Sequence, residues 1–137
     1  MKKITGIFLV LMMLFLLCSC GGKNVEQIVQ EAQTIVAGHE MTEDGAYKFF
    51  SEYMAEEKLF TIYMTIDADA LKEAVADVDP KFKDMMLAMG IENLDGKTET
   101  HKAELTALKN KVVPLFEDTD VLVVLVYVDA DGESILY

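Results

Sequence analysis

The chain reads as one α+β domain: a small mixed or antiparallel sheet of about three strands, packed with several helices and ending in a β-hairpin. Three observations predict it. Apolar residues recur at three- and four-residue intervals in several separate segments, the mark of helices with one buried face. Two runs, Leu59–Ile66 and Val121–Val128, are dense in β-branched and aromatic residues, which suit a pleated, half-buried surface. Near the end, Asp129-Ala130-Asp131-Gly132 has turn composition and is followed by a short apolar return, Glu133 to Tyr137. At 137 residues the chain fits a single domain.

Taken in order, Asn24 is placed to cap a helix whose apolar positions are Val25, Ile28, Val29, Ala32, Ile35 and Val36, with Gly38 placed to end it. A second helix is expected from Thr42-Glu43-Asp44 to about Glu57, with Tyr47, Phe50, Tyr53 and Met54 as an aromatic stripe. Two of these aromatics are expected to be buried, and an exposed remainder would mark a contact surface. Leu59–Ile66 is a strand. Asp67 or Asp69 then caps a helix, and Leu71, Val75, Val78, Phe82, Met85, Met86 and Met89 keep one face. Pro80 cannot continue the hydrogen-bond ladder, so the pattern divides into two helices in line, the second capped by Asp79 with Pro80 at its first position and closed by Gly90. Met85, Met86 and Met89 are read as core. Asn93-Leu94-Asp95-Gly96 makes a turn, and Thr98 or Thr100 opens a helix carrying Leu105, Leu108 and Val112, stopped by Pro114. Val121–Val128, eight apolar residues too few to cross a membrane, is expected to be the most buried strand. It is separated from Leu59–Ile66 by helices, which permits parallel pairing, whereas the terminal hairpin is antiparallel.

The N-terminus has a different character. Met1-Lys2-Lys3 is basic, and Ile7–Leu17 is unbroken apolar sequence. The stretch from Ile4 to Leu17 would span roughly 21 Å as a helix, short of the ~30 Å hydrocarbon core, so it reads as a secretory signal rather than a membrane span. Leu17-Cys18-Ser19-Cys20 resembles the lipobox of bacterial lipoprotein signals: an aliphatic residue, two small ones, then the modified cysteine. Cys at the second place departs from the usual pattern but is small. Cys18 is excluded as the modified residue because bulky Leu17 precedes it. The resemblance implies a signal peptide over residues 1–19, a diacylglyceryl group on Cys20, acyl chains such as palmitate, a lipidated tether over residues 20–24, and a domain over residues 25–137. It also implies an extracytoplasmic, lipid-anchored location on the cell membrane. Gly21, standing where Asp would mark inner-membrane retention, directs the protein to the outer membrane if the cell has two membranes. With Cys20 capped, the mature chain has no second cysteine, and its stability must come from its core.

Charge narrows the partners. The whole chain carries −12, with 24 acidic residues against 12 basic ones, all of them lysine. Without guanidinium groups, and with so negative a field, nucleic-acid and phosphate binding are not expected. The same field repels anionic head groups, so the domain should stand off the bilayer on its tether.

No assembled chemistry is evident. Asp129, Asp131 and Glu133 look like part of a calcium loop, but Tyr127 stands where a first ligand is needed and the chain ends before a bidentate Glu could follow, so a hairpin turn is the expectation. Asp67/Asp69 and Asp77/Asp79 are spaced two apart, which does not bring carboxylates together on a helix; capping is their expected role. His39 and His101 are the only histidines and are read as solvated. Ser51 and Ser134 lie outside any nucleophile-elbow context. Catalytic, metal and cofactor-binding residues are therefore expected to be none.

Val123–Tyr137, together with the 59–66 strand and Asp67-Ala68-Asp69-Ala70-Leu71-Lys72-Glu73-Ala74, resembles short lipoproteins of uncharacterised function from low-GC Gram-positive bacteria. Those run helix, strand, helix and terminal hairpin with a similar turn; the stretch from Pro80 to Lys97 departs from that pattern. The resemblance implies the location and carries no catalytic residue. The functional expectation is a membrane-anchored, non-enzymatic interaction module of the cell envelope with an envelope protein as partner. The alternative is an extracytoplasmic ligand- or cation-binding protein.

Overall fold

A computed structural model describes residues 24–40 and 46–137; the expected signal peptide, most of the tether and the lipidation residue Cys20 lie outside them. Helix α1 spans Val25–Ala37, strands β1 and β2 span Tyr47–Met54 and Leu59–Ile66, helices α2, α3 and α4 span Ala68–Ala74, Pro80–Asp95 and Thr98–Val112, and strands β3 and β4 span Leu122–Val128 and Ser134–Leu136. The fold is α+β. Its mixed sheet has the order β1-β2-β3-β4, with β1–β2 and β3–β4 antiparallel and β2–β3 parallel across the crossover through α2, α3 and α4.

The helix boundaries follow from backbone polar groups that need partners. Asn24 accepts from the Gln27 amide at 2.9 Å, while the Gln27 side chain returns to the Asn24 amide, a reciprocal cap that satisfies two orphan donors. Asp67 accepts from the amides of Asp69 and Ala70, and Asp79 from that of Lys81, with Pro80 in the first turn of α3. Pro114 ends α4 in a short 3₁₀ turn over Val113–Phe116.

The expected helix over 42–57, whose first residues 42–45 lie outside the described ones, is corrected: Tyr47–Met54 is a strand, the fourth of a sheet expected to have about three. Eight residue pairs, Tyr47↔Ile66 to Met54↔Leu59, give β2 an antiparallel neighbour that a helix would have denied it. Of the aromatics at helical spacing, Tyr47 and Tyr53 share one face of the strand with Phe49 and Ser51, and Phe50 lies on the other. Lys58, at φ 51°, completes the loop between β1 and β2.

Two further expectations are corrected. Gly90 does not close α3, which runs on to Asp95 and is capped at Gly96, so the expected turn at 93–96 is largely helix. The most buried strand is β2, not β3. Hydrogen-bonded on both sides along its length, β2 places Phe60, Ile62 and Met64 fully inside, whereas β3 has only the three-residue β4 beyond it and leaves Leu122 63% exposed.

The core lies on one side of the sheet. Alternation sends Tyr47, Phe60, Ile62, Met64, Ile66, Leu125 and Tyr127 toward α1 and α4, where they meet Ile28, Val29, Ala32, Val36, Leu105, Leu108 and Val112. The other side carries Phe50, Thr61, Tyr63, Thr65, Val124, Val126 and Leu136. Thr61 and Val126 are buried there, and Val126 is not part of the core cluster.

Candidate functional site

Four features rise above ordinary packing: two buried polar clusters on the helical side, the bare outer face of the sheet, and an exposed stripe on α3.

The first cluster joins the end of α3 to the sheet. His101 is 1% exposed and stacks on Tyr127, with ring centroids 3.7 Å apart and planes 15° from parallel. Its Nε2 lies 2.9 Å from the Leu94 carbonyl, so this nitrogen carries the hydrogen and donates. Tyr47 Oη donates to the same carbonyl at 2.8 Å. Tyr127 Oη donates to Asp95 Oδ1 at 2.5 Å, and Asp95 Oδ2 accepts from the Ala130 amide at 3.3 Å. Burial pushes the His101 pKa below its ordinary value, opposed by the bond to Leu94 and the Asp95 charge, so the ring is held neutral. Burial, then the bond to Asp95, pushes the Tyr127 phenol far up. Both groups are thus kept in the form that donates without changing charge, and their protons are committed to a carbonyl and a carboxylate. The arrangement ties β1, β3, α3 and α4 together.

The second cluster links α1 to α4. His39 Nε2 meets Glu104 Oε2 at 2.9 Å, with the side chains 3% and 6% exposed, and Lys111 Nζ lies 3.5 Å from His39 Nδ1. Phe49 packs edge-on against the imidazole at 4.8 Å. The expectation that both histidines are solvated is therefore corrected: each fills a gap between elements that are distant in sequence, and neither carries a local sequence signal of burial.

The remaining sequence candidates fall apart as chemistry. Asp67 and Asp79 are caps. Asp129 accepts from the amides of Asp131 and Glu133 at 3.0 and 2.8 Å, while Gly132, at φ 83°, supplies the left-handed turn residue. Among the described residues no group of three His, Cys, Asp or Glu side chains is placed to hold a metal ion. Also among the described residues, no helix is long and apolar enough to cross a membrane.

The outer face of the sheet is the more informative surface. Phe50 is 46% exposed and stacks on Tyr63, with centroids 4.8 Å apart and planes 11° from parallel. Tyr63 Oη donates to Glu52 at 3.3 Å. Across β3 and β4 the face continues through Val124 and Val126 to Leu136, which is 71% exposed. Parallel strand pairs are ordinarily covered on both faces, yet among the described residues the helices pack on one side of β2–β3 only. The expectation that Met85, Met86 and Met89 are core is corrected as well: they lie exposed on α3 beside Phe82.

Compared with family models, with curated proteins and with solved structures, the chain matches none. The fold and its surfaces define a class, a two-layer α+β domain with one open sheet face.

Proposed function

We propose that this protein is a lipid-anchored module of the bacterial cell envelope, non-enzymatic, which docks a partner protein on the open face of its sheet. The observation that carries the docking is the apolar outer face of a parallel strand pair, with the Phe50–Tyr63 stack at one edge and Leu136 at the other. Exposed aromatic and aliphatic side chains such as Phe50 and Leu136 are the groups that anchor protein interfaces. A sheet face of this kind suits an extended or helical apolar surface better than a small molecule, because it is flat and offers no enclosing walls.

The anchoring is supported by the sequence: basic Met1-Lys2-Lys3, the short apolar run, and Leu17-Cys18-Ser19-Cys20. The start of α1 fits it. Asn24 and Val25 lie beside Tyr53, Lys58 and Asp120, at the end of the sheet where β2 and β3 begin. A tether ending there would leave the broad faces of the domain standing out from the bilayer, with the acidic surface in water.

The test is photo-cross-linking on intact cells, with a photoreactive residue at position 50 and, as control, at exposed Lys109 on α4. Docking on the sheet predicts one discrete adduct from position 50 and none of that mass from position 109. A smear of unrelated adducts, or equal capture from both positions, would refute the assignment.

A further inference from the structure

Helix α3 turns two unlike faces outward and inward. Leu94 is buried, Ile91 packs against the core, and a Cβ on Gly90 would lie 3.9 Å from the Leu71 side chain of α2. On the other side Phe82, Met85, Met86 and Met89 are 53, 54, 45 and 62% exposed. Their spacing makes one continuous apolar stripe on the solvent side of a helix.

The border of that stripe is self-complementary. Lys81, Met85, Ala88 and Glu92 follow one another at steps of four, three and four residues and so form a single ridge. Run backwards, the ridge meets itself with opposite charge over opposite charge and a large residue over a small one: Lys81 against Glu92, Met85 against Ala88. The point midway between Lys81 and Glu92, which are about 16.5 Å apart along the helix, falls between Met86 and Leu87, inside the stripe. Lys81 and Glu92 are exposed, and neither joins the ion pairs found among the described residues.

We infer that α3 pairs with α3 of a second copy, antiparallel and about a two-fold axis near Met86. A two-fold contact needs a surface complementary to itself, and the Lys81–Glu92 ridge has that property. Each of the four stripe residues offers on the order of 100 Å², so the contact covers on the order of 800 Å² in total, at the weak end of specific interfaces. The dimer is therefore reversible and concentration-dependent, and tethering of both copies to one surface favours it. The inference stands on α3 and is independent of docking on the sheet.

Sedimentation equilibrium of the full chain in density-matched mild detergent tests it, over concentrations up to about 0.5 mM to suit a weak contact. The wild type is expected to pass from monomer to dimer. Met86→Lys is expected to remain monomeric with an unchanged thermal midpoint, since the side chain it replaces is outside the core. Lys81→Glu and Glu92→Lys are each expected to weaken association about tenfold, because each turns two attractive pairs repulsive, and the double variant K81E/E92K to restore it. A wild type that is monomeric throughout overturns the inference. So does dimerisation that survives Met86→Lys, or a double variant that associates no better than either single one. Capture of a different protein by a photoreactive residue at position 86 also overturns it, and leaves the sheet-docking reading to its own test.

Discussion

Tyr127→Phe removes one oxygen from the buried aromatic cluster and leaves the ring in place. The stack on His101 at 3.7 Å survives, as does the packing of the ring between β1 and α4. What is lost is the hydrogen bond to Asp95 Oδ1 at 2.5 Å. Hydrogen bonds to charged groups contribute about 1.5–3 kcal/mol. The lower end applies, because Asp95 is half-buried, can draw in water, and keeps the Ala130 amide on its other oxygen. The expected destabilisation is about 1.5 kcal/mol, or a fall of about 6 °C in thermal midpoint for a domain of this size. Urea unfolding followed by near-ultraviolet circular dichroism measures it, and the cycle with Asp95→Asn should return a coupling of about 1 kcal/mol. A loss below about 0.5 kcal/mol, or a coupling near zero, would mean that the phenol–carboxylate bond does not hold α3 to β3.

Three further outcomes follow from named contacts. The folded-state pKa of His101 is depressed, so its contribution to stability is complete above its unfolded value, about 6.5, and is lost as pH falls below it. The wild-type thermal midpoint should therefore drop more between pH 7.5 and 5 than that of His101→Gln, which does not titrate in this range; equal drops would remove His101 from the account. Gly90→Ala should stabilise by about 0.5–1 kcal/mol, because the position is helical and the new methyl meets only Leu71 at an ordinary 3.9 Å; destabilisation in chemical denaturation would show that α2 and α3 pack closer than described. Phe60→Ala and Phe50→Ala separate the two faces of the sheet. The first, fully buried, should cost about 3–5 kcal/mol, the second about 0.5 kcal/mol or less, and similar losses in urea unfolding would contradict a one-sided core.

Most of the fold was legible because it is written in local chemistry. The caps at Asn24, Asp67 and Asp79, Pro80 at the head of α3 and Pro114 at the foot of α4 act within a few residues of themselves, so spacing alone reveals them. The order of elements permitted the parallel pairing of β2 with β3, and a turn sequence announced the terminal hairpin. What failed depended on neighbours distant in the chain. Tyr47, Phe50 and Tyr53 recur at helical spacing, but pairing with β2 makes the segment a strand that divides them between its two faces, Phe50 on one and Tyr47 and Tyr53 on the other. His39 and His101 are buried by residues 65 and 54 positions away, Glu104 and Tyr47, which no local pattern announces. Leu71, Phe82, Met85 and Met89 read as one buried face because a helical stripe looks alike whether it meets the core or stands in water. Helix α3 starts afresh at Pro80 after α2 ends at Ala74, and only Leu71 of that set packs inward. The candidate surfaces were correspondingly half-legible: one of Tyr47, Phe50 and Tyr53 was expected to stand exposed, and Phe50 does.

The central claim is that the domain is held on a membrane by lipid at Cys20 and there binds a protein partner. Native mass spectrometry of the protein extracted from its own membranes in mild detergent tests it most directly. The account predicts a chain beginning at Cys20, heavier by a diacylglyceryl group, together with a species carrying a partner protein of discrete mass. A chain that keeps residues 1–19, or one released at Cys20 without lipid, would contradict the anchoring, and a lipidated chain that carries no protein under any gentle extraction would contradict the docking.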